Sequence, residues 1–340
     1  MTRAPLIAAL ALSSALLHSG CPPREADVDP PLRKIKVAWS PYLAYAPLAI
    51  AKENGYFREE GLDVELLDMR SYDGIVALTQ RKVDVVAAHL FVGLFNAISR
   101  DESLRIVADK GHVGGDCPAY SIVVRAELFE GEDFEVTRLE GLRFDVRPST
   151  IGAFILSRLL EPAGLTIDDV ALTDLPGATA IEAFRNGSLD AQVSSEPHLS
   201  VMVDAGVARI WKPVDDIIPG LQYSVLIYGP SFLEDDRDTG VRFMTAYLRG
   251  VRTYNEGKTN RNVEIISGFT RLDPVLTKRA CWASIHGDGH INMEAVDAFI
   301  DWAHKSNALE RPRDAIPYWD PYFIDSANRN LPARDSNKGN

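Results

Sequence analysis

The sequence predicts an α/β protein of two Rossmann-like lobes, each built on a parallel-rich sheet and joined by a two-strand hinge. Ten short β-rich runs alternate with segments whose apolar residues recur at helical spacing, the pattern of parallel sheets covered on both faces. One strand–helix unit is written twice. Ile75, Ala77, Leu78, Val83 and Asp84 return in kind as Ile181, Ala183, Phe184, Leu189 and Asp190, an ungapped offset of 106 residues. The length of 340 residues exceeds one ordinary core and suits two.

The chain opens with Arg3, then an apolar run from Leu6 to Leu17, then His18-Ser19-Gly20-Cys21. A basic start, an apolar stretch too short to span a bilayer and small residues at its end are the layout of an export signal, assigned to residues 1–20. Small residues directly before a cysteine resemble a bacterial lipobox, which implies lipid attachment at Cys21 and a membrane anchor. His18 departs from that pattern, and a plain secretory signal with an incidental cysteine is the alternative. Residues 21–33, with Pro22, Pro23, Pro30 and Pro31, read as a tether. The expected location is the periplasm or cell surface.

Strands are predicted at 34–39, 63–68, 83–88, 105–109, 121–124, 142–146, 170–173, 189–193, 207–211 and 223–228. Helices are predicted at 46–52, 75–81, 91–99, 154–160, 180–185, 238–256, 275–284 and 293–305. The late helices need a surface to cover, so the chain is expected to return to its first lobe. Lobe 1 is assigned to 34–122 and 225–326, lobe 2 to 123–224, with crossings at 120–124 and 221–228 forming a hinge. Residues 327–340 are polar and read as a flexible tail.

Hydrophobic residues make up 46% and charged residues 25%, with a net charge of −12. That balance argues against nucleic acid as a partner, which needs basic stripes, though a pocket in an acidic protein can still be locally positive. The three cysteines, Cys21, Cys117 and Cys281, show no metal-site spacing. Spacing alone leaves a Cys117–Cys281 disulfide open. His286-Gly287-Asp288-Gly289-His290 reads as a turn and not as a metal site, because two glycines disfavour the helix that i,i+4 ligands require. No metal or cofactor is expected, and no catalytic constellation is visible.

Trp39-Ser40-Pro41, the run from Ala46 to Phe57 (APLAIAKENGYF) and Glu60-Gly61-Leu62-Asp63-Val64 resemble the opening of type II periplasmic binding proteins, in the branch that binds nitrate, taurine, aliphatic sulfonates or thiamine pyrimidine precursors. Further segments are similar: Leu94 to Ile98, Arg105 to Gly111, Glu161 to Leu165, Leu189 to Ala191 and Glu196-Pro197. The resemblance implies a venus-flytrap fold, a small-molecule ligand in the cleft, an ABC permease and ATPase complex as partner, and no enzyme activity; a monomer is expected. Enzymes of pyrimidine or menaquinone-precursor synthesis share the scaffold, and a ligand-sensing lobe of a receptor would read the same.

Ligands of open α/β sheets bind beyond the carboxyl ends of strands, where helices begin. That rule selects Ser40, Tyr42 and Tyr45 after the first strand, and His89 and Phe91 after the third. In the second lobe it selects Ser149 and Thr150, Gly177 and Glu196. Tyr223 joins them from the second crossing. Each has a plainer reading: helix cap for Ser40, Ser149 and Thr150, core packing for the aromatics, a structural imidazole for His89, and a salt bridge or interlobe hydrogen bond for Glu196. Lys110, at a strand end, is read as an anion partner or a solvated surface lysine.

Overall fold

The computed structural model describes Met1 and residues 31–100, 103–115, 117–129, 134–175 and 179–331. The expected signal beyond Met1, Cys21, most of the tether, Gly177 and residues 332–340 lie outside the described residues.

Among the described residues, ten strands form two five-stranded sheets. The first takes β1 (Arg33–Trp39), β2 (Leu62–Asp68), β3 (Val85–His89), β4 (Arg105–His112) and β10 (Gln222–Tyr228). The second takes β5 (Tyr120–Arg125), β6 (Arg143–Asp145), β7 (Ala171–Thr173), β8 (Ala191–Ser195) and β9 (Ala208–Pro213). Their orders are β2-β1-β3-β10-β4 and β7-β6-β8-β5-β9. In each sheet the first three strands run parallel and the fourth is antiparallel to both its neighbours. The internal echo is thus structural: the repeated segment supplies β3 in one sheet and β8 at the same place in the other. β3 and β10 are buried almost throughout, as strands covered on both faces must be.

Among the described residues, twelve α-helices cover the sheets: α1 (Ala46–Glu53), α2 (Tyr56–Glu59), α3 (Ser71–Thr79), α4 (Val92–Arg100), α5 (Ile151–Leu160), α6 (Ala180–Arg185), α7 (His198–Asp204), α8 (Arg237–Tyr254), α9 (Asn260–Thr270), α10 (Pro274–Arg279), α11 (Met293–Lys305) and α12 (Tyr322–Asn330). Their starts carry sequence-encoded stops to fraying. Asp236, Thr259, Asp273 and Asn292 accept hydrogen bonds from first-turn N–H groups of α8, α9, α10 and α11. The long α8 packs against α1 and α12. Gly250 permits its approach to α1, since a Cβ there would stand 2.3 Å from the Pro47 carbonyl oxygen.

Three expectations change. β5 lies wholly in the second sheet and β10 wholly in the first, so the chain passes between sheets just ahead of these strands, at 113–119 and 214–221. The 275–284 helix stops at Arg279, because the chain beyond it is claimed by other partners: Cys281 is disulfide-bonded to Cys117, and Ser284 forms an antiparallel bridge with His112. The polar tail begins later than expected, since α12 runs to Asn330 and Ala327 is fully buried.

Candidate functional site

The carboxyl ends of β1, β2 and β3 face those of β6, β7 and β8 across a cleft of about 280 Å³. Three turns of the first sheet line it: Ser40, Tyr42 and Tyr45; Arg70 to Tyr72; and His89 to Phe91. From the other side come Asp145 to Arg147, Thr150 to Gly152, Asp174, Leu175, Gln192 and Val193, with Tyr120 at the back. The volume falls just below the roughly 300–1,000 Å³ typical of small-molecule sites, which suits a small ligand.

Aromatic rings form one wall. Tyr42 lies edge-on to His89 at 5.7 Å, and His89 stacks parallel to Tyr120 at 6.4 Å. Tyr72 meets Phe91 at 4.3 Å, with the Arg147 guanidinium 5.0 Å from the Tyr72 ring centre. Behind the wall, Lys110 is fully buried, its Nζ 3.3 Å from the centre of the Tyr45 ring and without a hydrogen-bond partner among the described residues. Burial holds the Lys110 amine well below its usual range. It is therefore neither the solvated lysine nor the anion partner expected. The His89 ring reaches the cleft while its Nε2 is shut off from solvent and unpartnered among the described residues. Burial, reinforced by Lys110, lowers its pKa to about 3, so the imidazole is neutral.

The opposite wall is polar. Asp145 accepts from the Leu175 N–H at 2.8 Å and from Gln192 Nε2 at 2.5 Å. That pairing turns the Gln192 carbonyl oxygen away, buried and without a hydrogen-bond partner among the described residues. An unpaired buried acceptor costs about 1–3 kcal/mol, which a bound N–H group would recover. Burial raises the Asp145 pKa, with the two hydrogen bonds opposing in part. Arg147 is engaged by Asp174 through a two-pronged pair at 2.8 and 3.0 Å, and Arg70 pairs with Asp73 at 3.2 Å.

Of the residues selected from sequence, Ser40, Tyr42, Tyr45, His89, Phe91 and Thr150 line this cleft together. Ser40 donates to the Met69 carbonyl at 3.0 Å. Thr150 caps α5, its hydroxyl oxygen accepting from the Ala153 N–H at 3.4 Å. Ser149, at a left-handed φ of 62°, is exposed and contributes its carbonyl to the other lobe. Tyr223 is buried behind the cleft, 4.9 Å from Tyr120 and 5.8 Å from His89. Glu196 sits outside it, accepting from Ser200 at 2.8 Å and from the Cys281 N–H at 3.2 Å. Arg70, Ser71, Tyr72, Tyr120, Asp145, Asp174 and Gln192 were not selected. The strand-end rule reaches 69–72, after β2, as directly as it reaches 40–45; Asp145 and Gln192 depend on the partners the fold brings them. Among the described residues no helix is long and apolar enough to cross a membrane.

A formylaminopyrimidine-binding protein of Halalkalibacterium halodurans is 26% identical over 245 residues, spanning 70% of this chain and 72% of that protein. The fold matches the periplasmic nitrate-binding protein NrtA of Synechocystis PCC 6803 with a TM-score of 0.71 at 14% identity, over 88% of this chain and 89% of the other. It also matches the aliphatic sulphonate-binding protein SsuA of Escherichia coli, with a TM-score of 0.67 at 17% identity, over 86% and 93%. Through residues 28–267, the chain belongs to the NMT1-like family.

Proposed function

We propose that this protein is the solute-binding component of an ABC importer, and that it captures a small, planar, N–H-bearing heterocycle of the aminopyrimidine kind for delivery to a membrane permease. The observation that carries this reading is the orphaned Gln192 carbonyl oxygen beside the Asp145 carboxylate, opposite a wall of aromatic rings. A ring that stacks on Tyr42 or Tyr72 and presents N–H groups to Gln192 and Asp145 satisfies both walls. A sulfonate group or nitrate offers that wall acceptors only, and the ammonium that taurine adds sits on a flexible chain with no ring to stack on the aromatic side. Both cleft arginines are already paired with carboxylates, and an oxyanion near Asp145 meets like charge. The pyrimidine named for the Halalkalibacterium relative has the required chemistry.

Export through residues 1–20 and lipid attachment at Cys21 belong to the same reading. The Cys117–Cys281 disulfide supports it, because such bonds persist in oxidising compartments.

The test is isothermal titration with a formylaminopyrimidine, taurine and nitrate, followed by mass spectrometry of the recovered ligand. Binding of the pyrimidine, returned unchanged, is the expected result. Tighter binding of taurine or nitrate would reverse the ligand assignment, and turnover would reverse the transport role. Metabolic labelling with a fatty acid, lost in Cys21→Ser, checks the anchor.

A further inference from the structure

Glu196 lies between β8 and α7, on the second sheet's side, and is 4% exposed. Its carboxylate accepts from the Ser200 N–H at 3.0 Å and the Ser200 hydroxyl at 2.8 Å, both on α7. A further donor comes from the other lobe: the Cys281 N–H, at 3.2 Å. Cys281 follows α10, which packs on α9 as α9 packs on α1, among the helices of the first sheet. All are donors, the partners an ionised carboxylate takes. Burial raises the Glu196 pKa, and these donors together with Lys258 oppose it.

The two partners stand on either side of a pivot. Cys281 is disulfide-bonded to Cys117. Beside it, the His112 N–H donates to the Ser284 carbonyl at 3.0 Å and the Ser284 hydroxyl to the Gly114 carbonyl at 2.7 Å. Glu196 donates its own N–H to the Ala119 carbonyl at 3.0 Å, extending the β5–β8 ladder beyond the Tyr120–Ser195 pair. Along the first passage only Pro118 separates Cys117, stapled to the first lobe, from Ala119, zipped to the second. Rotation of the lobes about that passage therefore works directly on the Glu196–Cys281 bond.

The same seam reaches the cleft. His198, two residues past Glu196, sets its ring 5.2 Å from that of Tyr42 in the aromatic wall. The Leu43 N–H approaches the Glu196 carbonyl at 3.5 Å. The space left there is about 10 Å³, room for one water at most. Opening the lobes exchanges a charge-assisted bond, stronger than one between neutral groups, for solvent.

We propose that Glu196 is a positioning residue for ligand capture: closure brings its carboxylate onto the Cys281 N–H, which the disulfide holds in place, and this clasp across the pivot sets how long the ligand stays. Glu196 acts through Cys281 and the Tyr42 wall and touches no ligand itself. This role rests on two-lobed solute capture, whichever solute fills the cleft.

The experiment follows release and association of a formylaminopyrimidine by stopped flow on the intact chain, with taurine or nitrate in its place if titration shows that one of them binds instead. Glu196→Ala removes the acceptor, and Glu196→Asp keeps the charge but falls short of Cys281. Each is expected to speed release roughly ten-fold and to leave the association rate unchanged. In a chain already carrying Cys117→Ser and Cys281→Ser, Glu196→Ala is expected to add less, because its partner is no longer held. Thermal melting checks that each variant folds; if Glu196→Ala does not, Glu196→Asp carries the comparison. Wild-type release rates in the folded variants would overturn the clasp, and so would equal acceleration with and without the disulfide. A wild-type chain that binds none of the three solutes would overturn the solute-binding reading itself, and the clasp with it.

Discussion

Phe91 and Thr150 face each other across the cleft as an antiparallel β-bridge. On either side, the Val92 N–H donates to the Ser149 carbonyl at 2.9 Å and the Ile151 N–H to the Leu90 carbonyl at 3.0 Å. Val92 and Ile151 begin α4 and α5, so these donors are helix-start N–H groups without intrahelical partners, spent on the opposite lobe. They form a latch that exists only when the lobes meet. Proline is tolerated at the first helical position and lacks the N–H, so Val92→Pro deletes one latch bond while sparing α4. At about 1 kcal/mol per bond, ligand release is expected to quicken roughly five-fold in stopped-flow measurements, with little change in melting midpoint. An unaltered release rate would show that the bridge does not hold the closed state.

The two cleft walls make separable contributions. Ser40→Ala with Tyr42→Ala removes part of the aromatic side, and Gln192→Leu removes the orphaned acceptor. Each is expected to weaken binding of an aminopyrimidine by ten-fold or more, about 1.4 kcal/mol. Gln192→Leu also strips Asp145 of a partner, so denaturation is measured alongside. If Gln192→Leu bound the pyrimidine as tightly as wild type, the assignment of that oxygen to a ligand N–H would fail.

The neutral His89 couples stability to acidity. Its ring takes up a proton near pH 6.5 in the unfolded chain but only near 3 in the folded one. Between those values the unfolded state holds the extra proton, so stability is complete above about pH 6.5 and falls as the pH falls. The limiting slope is about 1.4 kcal/mol per pH unit. Urea denaturation at pH 6 and pH 5 is expected to show wild type losing about 1 kcal/mol more than His89→Gln over that step. Parallel losses in the two proteins would mean that His89 is protonated in the native state.

The disulfide spans a sequence separation of 164 residues and constrains the unfolded chain accordingly. Replacing Cys117 and Cys281 with serine is expected to lower stability by about 2–4 kcal/mol. Wild type in reductant should match the double variant. Equal denaturation midpoints for oxidised wild type and the variant would show that the bond contributes nothing to the fold.

Strands were the most legible part of the sequence. The readings at 34–39 and 223–228, for example, differ from β1 and β10 by one residue at one end: β10 is buried throughout and written as a nearly unbroken apolar run, while β1 sets exposed Lys34 and Lys36 against buried Ile35 and Val37, the alternation of a half-buried strand. Helices α9 and α12 escaped notice. Their buried faces include Asn262, Ser267 and Ser326, polar residues that blur the apolar stripe and find partners only after folding. The cleft was legible where position alone decides, as at Ser40, His89 and Thr150. It was illegible where a partner decides: Gln192 becomes informative only once Asp145 has claimed its amide nitrogen. The partner of Glu196 lies beyond sequence reading, since Cys281 meets it across a separation of 85 residues.

His112 and Gln222 are register partners at the ends of two adjacent antiparallel strands, and just beyond them the Val113 N–H donates to the Leu221 carbonyl at 2.9 Å. Topologically, β4 and β10 are the arms of a hairpin whose turn has swollen into an entire second sheet. The protein is accordingly a host fold carrying a guest at one tight bend. A shortened chain that rejoins those arms through a few glycines should still assemble the host sheet, as an orphan half with nothing to shut against.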